Sequence, residues 1–111
     1  MDLTEHPSPN HDSREGQMID MLVMHYTGMH TLEAAVTRLT DPDAQVSAHY
    51  LVTELGQVIR LVNERERAWH AGVSSWRGAT NINARSIGVE IENPGHNAGY
   101  RPFTNIQMEV L

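Results

Sequence analysis

The segment Ser86-Ile-Gly-Val-Glu-Ile-Glu-Asn93 alternates without a break, with Ile87, Val89 and Ile91 on one side and Gly88, Glu90 and Glu92 on the other. A period of two belongs to a β-strand, so the chain must build a sheet with an apolar face here and two carboxylates on the reverse. A carboxylate facing a packed interior is costly unless it is paired, lies beside a metal or opens on a water-filled cleft. Glu90 therefore marks either a cleft or a solvated sheet face, and alternation alone leaves both open.

Other elements surround that strand. Asp20 to Tyr26 is a near-continuous apolar run before a Thr27-Gly28 break, which predicts a central strand buried on both faces. Thr31 is placed to cap a helix carrying Leu32, Ala35, Val36 and Leu39 at helical spacing, and Asp41-Pro42 ends it. Ala48–Thr53 and Gln57–Val62 flank Leu55-Gly56, which predicts an antiparallel hairpin closed by a tight two-residue turn with glycine at positive φ. The stretch after Trp69-His70-Ala71-Gly72, as far as Ala84, is loop by composition, as is Pro94–Pro102. Thr104-x-x-Gln107 has the form of a capping box opening a helix with Ile106, Val110 and Leu111. A helix begun so fully and only about two turns long is marginal alone, which reads as a truncated chain. The opening residues 1–17 carry two prolines and many polar side chains, and read as an extended arm without regular structure.

Composition narrows the function classes. The 111 residues suit one domain with a thin core, and 40% apolar against 20% charged residues is too apolar for a disordered chain. A net charge of -6, with eight scattered arginines as the only strong bases, excludes the footprint of a nucleic-acid binder. No cysteine is present, so any metal must be held by His, Asp or Glu. No apolar run approaches the roughly 20 residues that span a bilayer, and the N-terminus is not a signal sequence, which points to a cytoplasmic protein with no membrane partner.

Seven histidines in so short a chain invite a metal-site reading. His25 ends a buried strand beside a glycine break, where it either reaches a cleft or is hydrogen-bonded at the sheet rim. His49 on the hairpin and His70 after Trp69 are either further ligands or rings packed against neighbours, and strands carry no spacing code to decide between the two. His6, His11, His30 and His96 fall in the arm or in loops and read as surface residues.

Together, Met24-His25-Tyr26-Thr27, Val46-Ser-Ala-His-Tyr50, Arg67-Ala-Trp-His-Ala-Gly72 and Ser86–Asn93 resemble the zinc-dependent N-acetylmuramoyl-L-alanine amidases, which share a fold with peptidoglycan recognition proteins. The resemblance implies an α/β fold, a mixed central sheet with antiparallel borders flanked by helices, incomplete at the C-terminus. Residues 18–111 then form the N-terminal part of a single amidase domain behind the 1–17 arm. It implies hydrolysis of the amide between N-acetylmuramic acid and L-alanine by a zinc-activated water, with peptidoglycan fragments or muropeptides as substrate. By motif, His25 matches the first zinc ligand and Glu90 the residue that deprotonates the water, while Trp69, His70 and Asn83 match groove positions that contact substrate. Zinc lowers the pKa of bound water from about 16 to about 7, so a nearby carboxylate can take its proton.

The family's two remaining ligands and its oxyanion-stabilising lysine follow the C-terminal helix, whereas this sequence ends at Leu111 and holds no lysine. The 111-residue chain is thus expected to be inactive, and a version extended through that segment to cleave muropeptides. Two rivals stand beside the amidase: a muropeptide-binding module without catalysis, and a different metallohydrolase whose site is His25, His49 and His70.

Overall fold

The chain lays down β1 (Leu3–Glu5), β2 (His11–Ser13), β3 (Met21–Tyr26), α1 (Leu32–Thr40), β4 (Tyr50–Val52), β5 (Val58–Arg60), β6 (Glu66–Ala68), α2 (Ile82–Arg85) and β7 (Ser86–Ile91). The structure, a computed structural model, describes residues 3–29, 31–71, 81–93, 104, 107 and 108. The predicted loops through 72–80 and 94–102, the stripe Ile106, Val110 and Leu111, and His30 and His96 lie outside the described residues.

Five strands form a mixed sheet in the order β1-β5-β4-β7-β3, and β2 and β6 form a second, two-stranded sheet. In the larger sheet only β4 and β5 are antiparallel; β1–β5, β4–β7 and β3–β7 are parallel. Both borders of the sheet are therefore parallel, against the antiparallel borders expected. Strand β3 lies at an edge of the sheet and is only half-buried on one face, while on the other Leu22, Met24 and Tyr26 are 63%, 56% and 47% exposed. An apolar run suits a doubly buried strand, but here nothing among the described residues packs on the outer face of β3.

The pleat divides the core. Leu51 of β4 points to the α1 side, where it joins Ala35 and Leu39 of the helix with Leu61, Val62 and Ala68. Val52, Val58, Val89 and Ile91 cluster on the opposite side. Thr31 caps α1 as expected, its hydroxyl accepting from the Ala34 N–H at 3.0 Å. Ala35 and Leu39 are its buried positions, so the helical stripe read from sequence is the one that packs.

Three local expectations change. The hairpin closes through a three-residue loop, Glu54 to Gly56: the Thr53 N–H reaches Gln57 O, the Gly56 N–H reaches Thr53 O, and Gly56 takes φ 82°. The end of the predicted 73–84 loop is the short helix α2. The arm is regular too, adding β1 beside β5 and β2 beside β6. Its polar residues are buried because they serve as hydrogen-bonding partners: the Asn10 carboxamide donates to Asp41 O and Val46 O, and the Ser8 hydroxyl to Leu39 O.

The Thr104–Gln107 capping box forms as read. Thr104 Oγ1 accepts from the Gln107 N–H at 3.1 Å and Gln107 Oε1 from the Thr104 N–H at 2.9 Å. Gln107 is fully buried, its amide nitrogen donating to Glu92 O beyond β7. Among the described residues, no helix is long and apolar enough to cross a membrane.

Candidate active site

His25 and Glu90 are cross-strand partners at the C-terminal ends of the parallel strands β3 and β7. Paired positions on neighbouring strands project to one face, here the side covered by α1. Both side chains line a cleft of about 360 Å³ walled by Arg38 and Leu39 of α1 and by Trp69 and His70. Such a crevice outside the carboxyl ends of parallel strands is where open α/β sheets place ligands.

The cleft changes the chemistry of its groups. Burial pushes the Glu90 carboxyl up to about 7, and the positive charge of Arg38 opposes part of that rise. Burial lowers the His25 imidazole, and lowers His70 to about 3 with help from the charges of His25, His49 and Arg14. The histidines are consequently neutral near pH 7, while Glu90 is balanced between its two forms.

His70 sits between the strands. Its Nδ1 lies 3.1 Å from His25 Nε2 and its Nε2 lies 2.9 Å from Ser86 Oγ. The ring rests on Gly88, where an added Cβ would come within 2.4 Å of two ring atoms, so no larger residue fits beneath it. The backbone leading into the ring is tied as well, because Asn83 Oδ1 accepts from the N–H groups of His70 and Ala71. Asn83 therefore holds the 70–71 segment and does not line the cleft. Trp69 does line it, and its backbone is fixed by Ser47, whose hydroxyl accepts from the Trp69 N–H and donates to Asn10 O.

His49 is fully buried behind this group. Its Nδ1 accepts from the Gly88 N–H, which assigns the proton to Nε2, and Nε2 then donates to Glu66 O at 2.8 Å. Both nitrogens are engaged with backbone, and the Arg14 guanidinium lies 3.0 Å from Nε2. Arg14, also buried, donates to the carbonyls of Glu64, Asn83 and Ala84 and braces the same region.

Zinc is implied by the resemblance, and the donor set tests it. Among the described residues, no three of His, Cys, Asp and Glu are grouped to hold a metal ion. His49 and His70 have both ring nitrogens engaged, which leaves His25 Nδ1 as one candidate donor nitrogen. The described residues thus do not fit a complete zinc site, nor do they make His25, His49 and His70 a metal site of their own.

Sequence reasoning picked out His25, Glu90, Trp69 and His70, and the structure gathers them around one cleft. It passed over Ser86, Gly88, Arg14 and Arg38. A glycine inside an otherwise regular strand was the available signal, since it marks a close approach by another group.

Comparison with known proteins identifies the family of the sequence and the fold. Residues 15–111 match the family described as N-acetylmuramoyl-L-alanine amidase. The chain is 43% identical over 105 residues to N-acetylmuramoyl-L-alanine amidase AmiD of Escherichia coli (strain K12), covering 84% of this chain and 37% of AmiD. It is 33% identical over 129 residues to 1,6-anhydro-N-acetylmuramyl-L-alanine amidase AmpD of Enterobacter cloacae, covering 100% of this chain and 67% of that protein. Among solved structures, an AmpD selenomethionine derivative superposes with a TM-score of 0.83 at 31% identity, over 98% of this chain and 69% of its own. E. coli AmiD in complex with anhydro-N-acetylmuramic acid-L-Ala-D-γ-Glu-L-Lys superposes with a TM-score of 0.73 at 38% identity, over 95% of this chain and 43% of AmiD. With the sequence matched from residue 15 onward and the fold matched over nearly its whole length, the chain belongs to the N-acetylmuramoyl-L-alanine amidase family.

Proposed function

We propose that this chain contributes the water-activating half of an amidase that hydrolyses the bond between the lactyl group of N-acetylmuramic acid and L-alanine in peptidoglycan fragments or muropeptides. One observation carries the reading: Glu90, its carboxyl raised to about 7 by burial, stands beside His25 in the same cleft. A general base works best when its pKa lies near the operating pH. As a water oxygen bonds to the amide carbon, Glu90 takes the departing proton; as the carbon–nitrogen bond breaks, it returns that proton to the alanine nitrogen. The products are a lactyl carboxylic acid and a free amino-terminal stem peptide. Trp69 offers an aromatic wall to the muramyl ring, and His70 supports His25 from below.

Zinc, which the resemblance implies, would polarise the amide carbonyl and acidify the water. In this reading His25 Nδ1 is the donor this segment supplies.

The test is release of L-Ala-D-γ-Glu-L-Lys from anhydro-N-acetylmuramic acid-L-Ala-D-γ-Glu-L-Lys by a protein containing this sequence, read by mass with added zinc and with a chelator. Release is expected with zinc and its loss with chelator, with kcat/KM rising as pH passes through about 7 because the base must be ionised. Glu90→Ala should lower turnover by roughly 10²- to 10⁴-fold. Undiminished turnover in Glu90→Ala removes Glu90 from the chemistry, and binding without release favours a muropeptide-binding module.

A further inference from the structure

The contacts around His70 admit one arrangement of protons. Ser86 Oγ lies 2.8 Å from Ile82 O, and a carbonyl only accepts, so the single hydroxyl proton of Ser86 points there. Pointing it elsewhere would leave two acceptor oxygens in contact with no hydrogen between them. Ser86 Oγ must then accept from His70 Nε2, which makes that nitrogen the protonated one. A neutral imidazole carries one proton, so His70 Nδ1 is an acceptor and the proton in its contact with His25 belongs to His25 Nε2. The chain of donors runs from His25 through His70 and Ser86 to the first residue of α2. Gly88 keeps the relay in place, because any side chain there would displace the His70 ring. Ser86 is fully buried at the start of β7, and among the described residues its hydroxyl meets only His70 and the Ile82 carbonyl.

We propose that Ser86 and His70 are positioning residues for His25, holding it as the Nε2–H tautomer so that Nδ1 is its sole basic nitrogen. His70 then acts through His25, in contrast to the substrate contact expected from sequence. Ser86 acquires a role that its small polar side chain in an apolar strand did not announce. The catalytic consequence rests on the proposed amidase reading, whereas the tautomer is measurable without turnover. The two can therefore fail separately.

The experiment is ¹⁵N chemical-shift measurement of the imidazole nitrogens in histidine-labelled protein near pH 7, where pyridine-type and pyrrole-type nitrogens are well separated. Wild type should show His25 and His70 each with a pyridine-type Nδ1 and a pyrrole-type Nε2. Ser86→Ala frees His70 to exchange between tautomers, and the His25 signals should move toward a mixture. His70→Leu should do the same more completely. His70→Asn places a carboxamide oxygen near the Nδ1 position and should restore the His25 tautomer, an outcome that a purely space-filling role for His70 does not predict. In muropeptide hydrolysis by a protein containing this sequence, Ser86→Ala should lower kcat by roughly 10- to 100-fold, the usual effect of removing a group that orients a metal-donor imidazole. A pyrrole-type Nδ1 on His25 in wild type, or an unchanged His25 tautomer in both Ser86→Ala and His70→Leu, overturns the proposal. Should His70→Leu fail to fold, Ser86→Ala and His70→Asn decide the matter. A confirmed tautomer in this chain, with no hydrolysis by a longer protein containing this sequence and supplied with zinc, would preserve the relay and reject the amidase reading.

Discussion

Because burial holds the Glu90 carboxyl at about 7 against an ordinary value of 4.5, the folded protein keeps a proton there that the unfolded chain has already released. Between those two pH values the native state binds more protons than the unfolded state, so stability falls as pH rises through the window and levels off above about 7. Replacing Glu90 with Gln removes the ionisation while keeping the shape. Glu90→Gln should therefore match wild type in thermal unfolding at pH 4 and exceed it at pH 8, by at least about 1 kcal/mol. Equal melting curves at both pH values would show that Glu90 is not held in a desolvated environment. Glu90 was legible in the sequence because strict alternation set its side chain on the face opposite Ile87, Val89 and Ile91. His25 was legible because its strand stops at a glycine break. Ser86 and Gly88 share the Glu90 face, yet neither residue type distinguishes a seat for another ring from an ordinary small residue. That distinction depends on His70 arriving from 16 positions away in sequence.

At the scale of elements, the N-terminal segment shows how a polar stretch can be structural. Short strands β1 and β2 are exposed, but between and just after them Ser8, Asn10 and Arg14 are buried and hydrogen-bonded to carbonyls of distant segments. Asn10 joins the end of α1 to the segment before β4 by donating to Asp41 O and Val46 O, at 2.9 and 2.8 Å. Asn10→Ala would remove a buried donor from two partly buried carbonyls, so a loss of about 1–3 kcal/mol is expected in denaturant unfolding. A loss under about 0.5 kcal/mol would show that the arm is not integral to the fold. Hydrophobic periodicity could not reveal this segment, since its contribution comes from donors paired with carbonyls and not from an apolar stripe. Helix α1, the hairpin and the Thr104 capping box were readable because caps, stripes and glycine turns are local signals. The hairpin loop came out one residue longer than read, a detail fixed by the closing Thr53–Gln57 pair.

For the whole molecule, a mixed α/β sheet followed from the spacing of strands and helix, while strand order and direction did not. Whether β7 lies between β3 and β4, parallel to both, is set by contacts between segments far apart in the chain, for which periodicity holds no record. The same topology leaves β3 at the rim, with Leu22, Met24 and Tyr26 turned outward from the face that carries His25. Met21 to Tyr26 has no charge, proline or glycine, and its outward row is apolar. Short uncharged stretches of this kind on a sheet edge are the usual starting points of strand-on-strand self-association. Leu22→Lys or Met24→Lys should therefore keep more protein in solution after mild heating, measured by light scattering, with the ¹⁵N signals of His25 unchanged. If neither substitution slows the rise in scattering, self-association starts elsewhere. On that prediction, the strand that supplies the His25 imidazole is also the one that limits the colloidal lifetime of the protein.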